Sequence, residues 1–422
     1  AYVAVGAALP SWGLQARGAV ERPVIAVIGC RQGRNVGREM REVGADVAYV
    51  CDVDDAHARQ AKEQLDAGKA VKDMRRVFDD QSVDAVVIGT PDHWHAPATI
   101  LACEAGKHVY VEKPCAHNIR EGRLMIEAAR RTKRVVQVGT QSRSTPAIRE
   151  AMQLLAEGAI GDVLVAKAWN SQRRRDIGHA EPSEPPAGFD YDLWVGPAPM
   201  RPFQENCQHY NWHWFYNFGT GDAGNDGVHE LDLARWGLGV TGHPTRASGM
   251  GEKLHFEDDQ QFPDTQYVTF EYPGASAGGR KRTLIYEHRI WSPYDQEGYA
   301  NGNAFYGTDG YMILGKESGW KIYGPNNKRK RSEEGRFSVP DHVTDFFDAM
   351  RNGRKPNGDI EVGQGSAVLA HLSNILARTN AGTLAFDGEN ERIVGTPEAE
   401  ALVGRTYREA HWAAPEGGQK DA

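Results

Sequence analysis

The first third of this sequence predicts an α/β fold built on a doubly wound parallel sheet. Three observations carry that prediction. Short apolar-rich runs recur at Pro23–Ile28, Asp46–Cys51, Val83–Ile88, Lys107–Val111 and Val135–Gly139, each the length of one buried strand. Stretches of helical composition separate them, the alternation that yields parallel strands joined by crossover helices. Each run also stops at a glycine, an acid or a threonine, so polar groups collect at strand carboxyl ends, where open α/β sheets bind ligands.

Composition sets the outer bounds. At 422 residues, 40% hydrophobic and 25% charged, the chain has material for two or three domains of an ordinary globular protein. A net charge of −8 argues against a nucleic-acid partner, and the basic runs Arg173–Arg175 and Lys328–Arg331 read as solvated loops. Five cysteines in so long a chain form no disulfide framework, and Cys30 and Cys51 suit small buried thiols. No run is apolar for long enough to span a bilayer. Ala1–Leu9 is small and apolar, and Pro10 and a Gln15–Ala19 segment follow. Residues 1–22 therefore read as a signal-peptide remnant or an N-terminal arm, with export to a periplasm expected, through a twin-arginine signal.

Taken in order, Pro23–Ile28 is followed by Gly29-Cys30-Arg31-Gln32-Gly33-Arg34-Asn35-Val36-Gly37 and then by a helix from Gly37. Strand, glycine turn and helix are the dinucleotide fingerprint, in which backbone N–H groups at the helix start hold a pyrophosphate. The place of the usual second glycine is taken by Arg31, so Gly33 is expected in that role and Arg31 or Arg34 against phosphate. Asp46–Cys51 ends at Asp52, where a carboxylate accepts from the adenosine ribose hydroxyls and repels a 2′-phosphate. NAD is thus expected in preference to NADP.

Lys69–Phe78 predicts a short element. Val83–Ile88 then leads to Gly89-Thr90-Pro91-Asp92-His93-Trp94-His95, with Thr90, Pro91 and His95 expected at the cofactor. His93 and His95 have no third ligand at a recognisable spacing, so no metal site is expected. Ala96–Ala105 is helical. Val109-Tyr110-Val111 ends in Glu112-Lys113-Pro114, because proline has no N–H to continue a ladder. Lys113 is then free to meet cofactor and substrate together and to move a proton. Ile119–Arg131 is a helix, and Val135–Gly139 presents Thr140 and Gln141.

The motifs Thr90–His95, Glu112-Lys113-Pro114 and Val138-Gly139-Thr140-Gln141 together resemble the Gfo/Idh/MocA oxidoreductases, over about Pro23 to Asp387. The resemblance implies a Rossmann domain (23–145), then an α+β domain on a large, mostly antiparallel sheet that binds substrate and mediates oligomers (146–387). A tail (388–422) is expected after it. Also implied are NAD(P)-dependent redox chemistry on a sugar or polyol, and a homodimer or homotetramer.

The second half fits that outline. Ile148–Glu157 and Asp162–Asn170 read as helix and strand, and Gln172–Arg175 offers Arg173 as a substrate contact. Asp176–Pro202, rich in Pro and Gly, is a long excursion, within which Tyr191–Pro199 resembles a segment of secreted-type members. Six aromatics crowd His209–Phe218, where Trp212 and His213 are expected to wall a carbohydrate site. In Gly224-Asn225-Asp226-Gly227-Val228-His229, His229 opens a helix; the family joins this histidine to the Lys-Pro lysine and to an acid four places before it. That place holds Asn225, with Asp226 beside it. An amide cannot act as a base, so Asn225 can only orient a hydroxyl. Lys113 and His229 are the expected proton-handling pair. Thr265–Tyr272, Arg282–His288 and a strand–turn–strand over Ala304–Ile313, with Tyr306 as a further substrate contact, complete a sheet; Val343–Met350 and Ser366–Thr379 are helices. The expected activity is exported, NAD-dependent oxidoreduction of a sugar, glycoside or polyol, with NAD held and recycled. Glycoside cleavage through transient oxidation, and a non-catalytic sugar-binding protein that keeps NAD, are the alternatives.

Overall fold

The computed structural model describes residues 22–274, 279–316 and 318–418. The segment read as an export signal, Ala1–Ala19, lies outside the described residues. The N-terminal sheet comprises β1 (Val24–Ile28), β2 (Asp46–Cys51), β3 (Lys69–Val71), β4 (Ala85–Ile88), β5 (His108–Val111) and β6 (Val136–Val138), in the order β3-β2-β1-β4-β5-β6. Every pairing in it is parallel. Helices α1 (Gly33–Glu42), α2 (Asp55–Leu65), α3 (Arg75–Phe78), α4 (Asp92–Glu104) and α5 (Ile119–Thr132) make the connections. The short element expected at Lys69–Phe78 is two: an edge strand and one helical turn.

After α6 (Pro146–Ala156) come β7 (Val163–Asn170), α7 (Tyr191–Val195), α8 (Val228–Gly237), β8 (Arg246–Glu252), β9 (Thr265–Tyr272), β10 (Arg282–Arg289), β11 (Asn301–Gly307), β12 (Tyr311–Gly315), β13 (Gly319–Tyr323) and β14 (Arg329–Glu333). Helices α9 (Val339–Asn352) and α10 (Ile360–Thr379), strands β15 (Thr383–Asp387) and β16 (Arg392–Val394), and the turn α11 (Pro397–Glu400) follow. The ten-stranded sheet runs β14-β13-β12-β11-β7-β10-β9-β8-β15-β16, antiparallel except for β7 beside β10. Strand alternation decides which side chains face the core: Leu284 and Tyr286 of β10 and Phe305 of β11 pack with Leu231 and Ala234 of α8 and Leu372 of α10.

Three expectations need correction. Lys328–Arg331 is not a loop; most of it is β14, a fully exposed edge strand, where basic side chains hinder pairing with another chain. Residues 388–418 are not a free tail. They return to the N-terminal domain, where Arg405 and Tyr407 both hydrogen-bond the buried Glu121 of α5, at 2.8 and 2.6 Å. Nor is the Rossmann unit closed at residue 145, because α9 supplies Val343, Phe346 and Phe347 to the cluster around Ile25, Val27 and Tyr110. Gln137 donates to His342 O of the same helix, at 2.8 Å.

Candidate active site

A cleft of about 500 Å³ runs along the carboxyl ends of the parallel strands and is roofed by the excursion after β7. Gly29 has φ of +84°, and a β-carbon on it would lie 2.6 Å from the carbonyl of Gly89. Two strand-end turns are thus pressed together, as only glycine permits. No side chain caps α1 and its first turn carries no acid, which leaves its leading N–H groups to an anion; Arg34 stands in that turn and lines the cleft. Asp52 ends β2 at one end of the cleft. Its Oδ2 accepts from Cys30 N (2.7 Å) and its Oδ1 from Asp54 N (2.9 Å), which fixes the carboxylate while lone pairs remain. Burial raises the Asp52 pKa, and those two N–H groups oppose the rise. Thr90 Oγ1 and Glu112 Oε1 are buried without a hydrogen-bond partner, and both residues line the cleft. Orphaned polar atoms in such a place fit the polar groups of a dinucleotide.

At the other end, Lys113 follows β5 and reaches across to the turn before α8. Its Nζ donates to the backbone oxygen of Asn225 and, at 3.3 Å, to Asn225 Oδ1. The Asn225 amide donates to Tyr210 OH (2.9 Å) and to Asp222 Oδ1 (3.2 Å). Asp222 is fully buried and also accepts from Asn170 Nδ2 (2.7 Å) and Arg174 Nε (2.9 Å). The carboxylate missing at position 225 is therefore present one step back, acting through the amide. Behind this lies a charged layer, in which Asp226 contacts Arg174 (3.1 Å) and Lys316 (3.6 Å). Burial alone would raise the Asp226 carboxyl, but Lys316 and Arg174 hold it at about 2. Burial pushes Glu230 up to about 8, and Asp92, which accepts from Thr220 Oγ1 at 2.6 Å, up to about 7.

The cleft brings together Gly29, Arg31, Arg34, Asp52, Thr90, Pro91, His95, Glu112, Lys113, Trp212, His213 and Asn225 of the expected site residues. The rings of Trp212 and His213 stack at 3.6 Å and line the cleft, whereas Trp214, Phe215 and Phe218 pack in a buried aromatic cluster. Arg31 is exposed, with its guanidinium 5.8 Å from the centre of the Tyr210 ring, so it lies across the cleft from the turn that carries it. Gly33 is buried and is not among the cleft-lining residues. It starts α1 and packs on β1, with a β-carbon there 3.1 Å from Val27 Cγ1. Cys30 is buried, and its contribution is the backbone N–H that holds Asp52. The His95 ring nitrogens lie 2.7 Å from Pro114 O and 2.9 Å from Thr90 O, and burial lowers its pKa to about 4, so its single N–H donates to one of the two.

Other expected residues lie elsewhere. Gln141 turns into the fold and donates to Tyr110 OH at 3.0 Å. Arg173 is exposed; its neighbour Arg174, past the end of β7, is the one that turns in, toward Asp222 and Asp226. Tyr306 sits on the face of β11 opposite Phe305 and is 42% exposed, away from the cleft. Asp226 and His229 stand behind Asn225 rather than in the cleft lining. Burial, then the charges of Lys316 and Lys113, hold the His229 pKa well below its ordinary value, and its Nδ1 has no partner. Tyr210, Arg174, Asp222, Lys316, Phe189 and Trp194 were not anticipated. Asp222 had a signal, an acid inside the glycine-rich run before Asn225; Arg174 was masked by its triplet.

Two family models match the chain. One, described as oxidoreductase family, NAD-binding Rossmann fold, matches residues 24–140; the other, oxidoreductase family, C-terminal alpha/beta domain, matches 168–268. Among curated relatives, inositol 2-dehydrogenase 2 of Saccharopolyspora erythraea is 28% identical over 339 residues, or 78% of this chain and 82% of the relative. Levoglucosan dehydrogenase of Pseudarthrobacter phenanthrenivorans is 30% identical over 182 residues, 43% of this chain and 40% of the relative. Among solved structures, a levoglucosan dehydrogenase in complex with NADH and levoglucosan matches with a TM-score of 0.66 at 18% identity, covering 86% of this chain and 99% of the other. An aldose–aldose oxidoreductase from Caulobacter crescentus, complexed with glycerol, matches with 0.67 at 17%, covering 87% and 100%. At such identity these two likenesses speak for the fold.

Proposed function

This chain belongs to the Gfo/Idh/MocA oxidoreductases, and from that premise we propose that it oxidises or reduces one hydroxyl-bearing carbon of a sugar, glycoside or polyol with NAD. The observation that carries the reading is Lys113 Nζ, held by Asn225 in the same cleft that ends at Asp52. Bound NAD supplies a two-electron acceptor or donor at its nicotinamide. Gly29, the start of α1, Arg34, Thr90 and Glu112 would hold it, with Asp52 on the ribose. Lys113 orients the substrate hydroxyl and moves its proton. Asn225 steers the ammonium, and Asp222 and Arg174 hold Asn225 in turn. Trp212 and His213 offer an aromatic face to sugar C–H groups.

A second reading has its own support. The excursion covers the Asp52 end of the cleft: Asp55 N donates to Gly188 O (3.1 Å) and Asp190 N to Val53 O (3.0 Å). A cofactor enclosed in this way is suited to being kept and recycled, whether between two sugars or within glycoside cleavage through transient oxidation. We also propose export, which rests on the composition of Ala1–Ala19, and a homodimer or homotetramer through the open sheet face, where Tyr267 and Tyr306 are both 42% exposed. No helix among the described residues is long and apolar enough to cross a membrane.

The test is spectroscopic. Purified protein is scanned for bound nicotinamide and then mixed with a panel of sugars, polyols and aryl glycosides. Absorbance change with one substrate is expected. Retained NAD with no absorbance change and no glycoside cleavage across the panel would leave only a sugar-binding role, and failure to bind NAD would overturn the assignment altogether.

A further inference from the structure

We infer that Asp54, His57 and His209 form a site for one divalent transition-metal ion of the Zn²⁺ class, at the Asp52 end of the cleft, which His57 and His209 line. Asp54 caps α2: its Oδ1 accepts from Ala56 N (2.8 Å) and His57 N (3.3 Å), which fixes the carboxylate and leaves Oδ2 for another partner. That oxygen lies 3.4 Å from His209 Nε2. The separation is long for a hydrogen bond, whose usual range ends near 3.2 Å. It equals the edge of a tetrahedron around an ion with bonds of about 2.1 Å, which is also about 3.4 Å. The rings of His57 and His209 have centroids 4.5 Å apart, and one ligand atom from each of the three residues lies within 4.8 Å of the others. All three are only partly buried, so rotation of the His57 ring can close the remaining gap.

The frame around these ligands needs no ion to form it. His209 is braced edge-on by Phe189, centroids 5.7 Å apart, and Phe189 itself pairs with Asp54 through the backbone. Two histidines and a carboxylate suit Zn²⁺, Co²⁺ or Ni²⁺ better than Mg²⁺ or Ca²⁺, which prefer oxygen throughout. The Asp52 carboxylate, bonded to Asp54 N, adds negative charge, against the single guanidinium of Arg31 near His209. Three protein ligands leave a fourth position for water. Such an ion would join the excursion to α2, and it escaped the spacing rules because His209 is far downstream of the Asp54–His57 pair.

The full chain, without an affinity tag and with its cofactor bound, is stripped with a chelator and titrated with Zn²⁺ by calorimetry and with Co²⁺ by visible absorption. One ion per chain and the d–d bands of tetrahedral Co²⁺ are expected. His57→Gln and His209→Gln should each weaken Zn²⁺ binding by about a hundredfold or more, since even outer partners of ligands cost about 10–100-fold. Absence of stoichiometric uptake by the unaltered protein would reduce the cluster to an ordinary His–Asp ion pair and overturn the inference, whether or not the variants fold. Undiminished uptake by both folded variants would overturn it equally.

Discussion

Lys113 owes its place to three neighbouring features: a strand that carries it to the sheet's carboxyl edge, a proline that ends the ladder, and an asparagine across the cleft that accepts from its ammonium. Lys113→Met keeps most of the length and removes the charge and the transferable proton. Single-turnover nicotinamide absorbance should show hydride transfer slowed by about a hundredfold to ten-thousandfold, the usual contribution of a general acid–base group. NAD affinity should move far less, because Asp52 and the glycine turn lie at the other end of the cleft. A variant with an undiminished rate would remove Lys113 from the chemistry. His229 is a different case. Its low basicity and its position behind Asn225 fit a neutral acceptor in the supporting layer, with Tyr210 OH nearer the cleft.

Among the elements, the segment after α11 matters more than its polar, glycine-rich sequence suggests. Arg405 pairs with Glu121 at 2.6 Å, with side-chain exposures of 9% and 0%, and Arg405 also donates to His93 O at 2.6 Å. Glu121 sits in the first turn of α5, and His93 sits in the first turn of α4 just after the Thr90-Pro91 turn, so this one guanidinium ties both helices near the cleft. Removing one partner of a buried pair leaves the other charge desolvated, at a cost of about 3–5 kcal/mol. Arg405→Met should therefore lower the unfolding free energy by about that amount, read from the denaturant midpoint with NAD concentration held constant. A loss below about 1 kcal/mol would mean that the pair behaves like a surface bridge.

At the scale of the molecule, the N-terminal domain depends on the far end of the chain. Phe346 and Phe347 cover one face of the parallel sheet, while Ile360 and Ala367 join the cluster on its other face. On the outer edge of β6, Val138 N donates to Gly358 O at 2.8 Å. A fragment of residues 22–145 would expose those apolar faces to water. It should lack the near-ultraviolet circular dichroism of fixed aromatic packing and should bind NAD weakly, whereas residues 22–418 should retain both. A fragment with native-like near-ultraviolet signal and full NAD affinity would show the domain to be self-sufficient.

How much of this was legible depended on the range of the interaction concerned. Buried parallel strands are apolar along their whole length, and the turns that follow them are local, so the parallel sheet, Asp52, Glu112 and Lys113 could all be read from short windows of sequence. The aromatic density around Trp212 and His213 could be read in the same way, but which of those rings line the cleft and which enter the core could not. Pairing across distance could not. Whether Arg173 or Arg174 enters the site is decided beyond the end of β7, where Asp222 and Asp226, about fifty residues downstream, take the Arg174 guanidinium. Gln141 turns to Tyr110, and Tyr306 lies on the open face of β11 opposite the buried Phe305. The link from Asp222 through Asn225 to Lys113, the return of Arg405 to Glu121, and the meeting of Asp54 with His209 each join residues from separate elements. Local sequence determines what a segment can become, through propensity, burial pattern and turn chemistry. Which distant side chains share a desolvated space is decided only when the whole chain has packed.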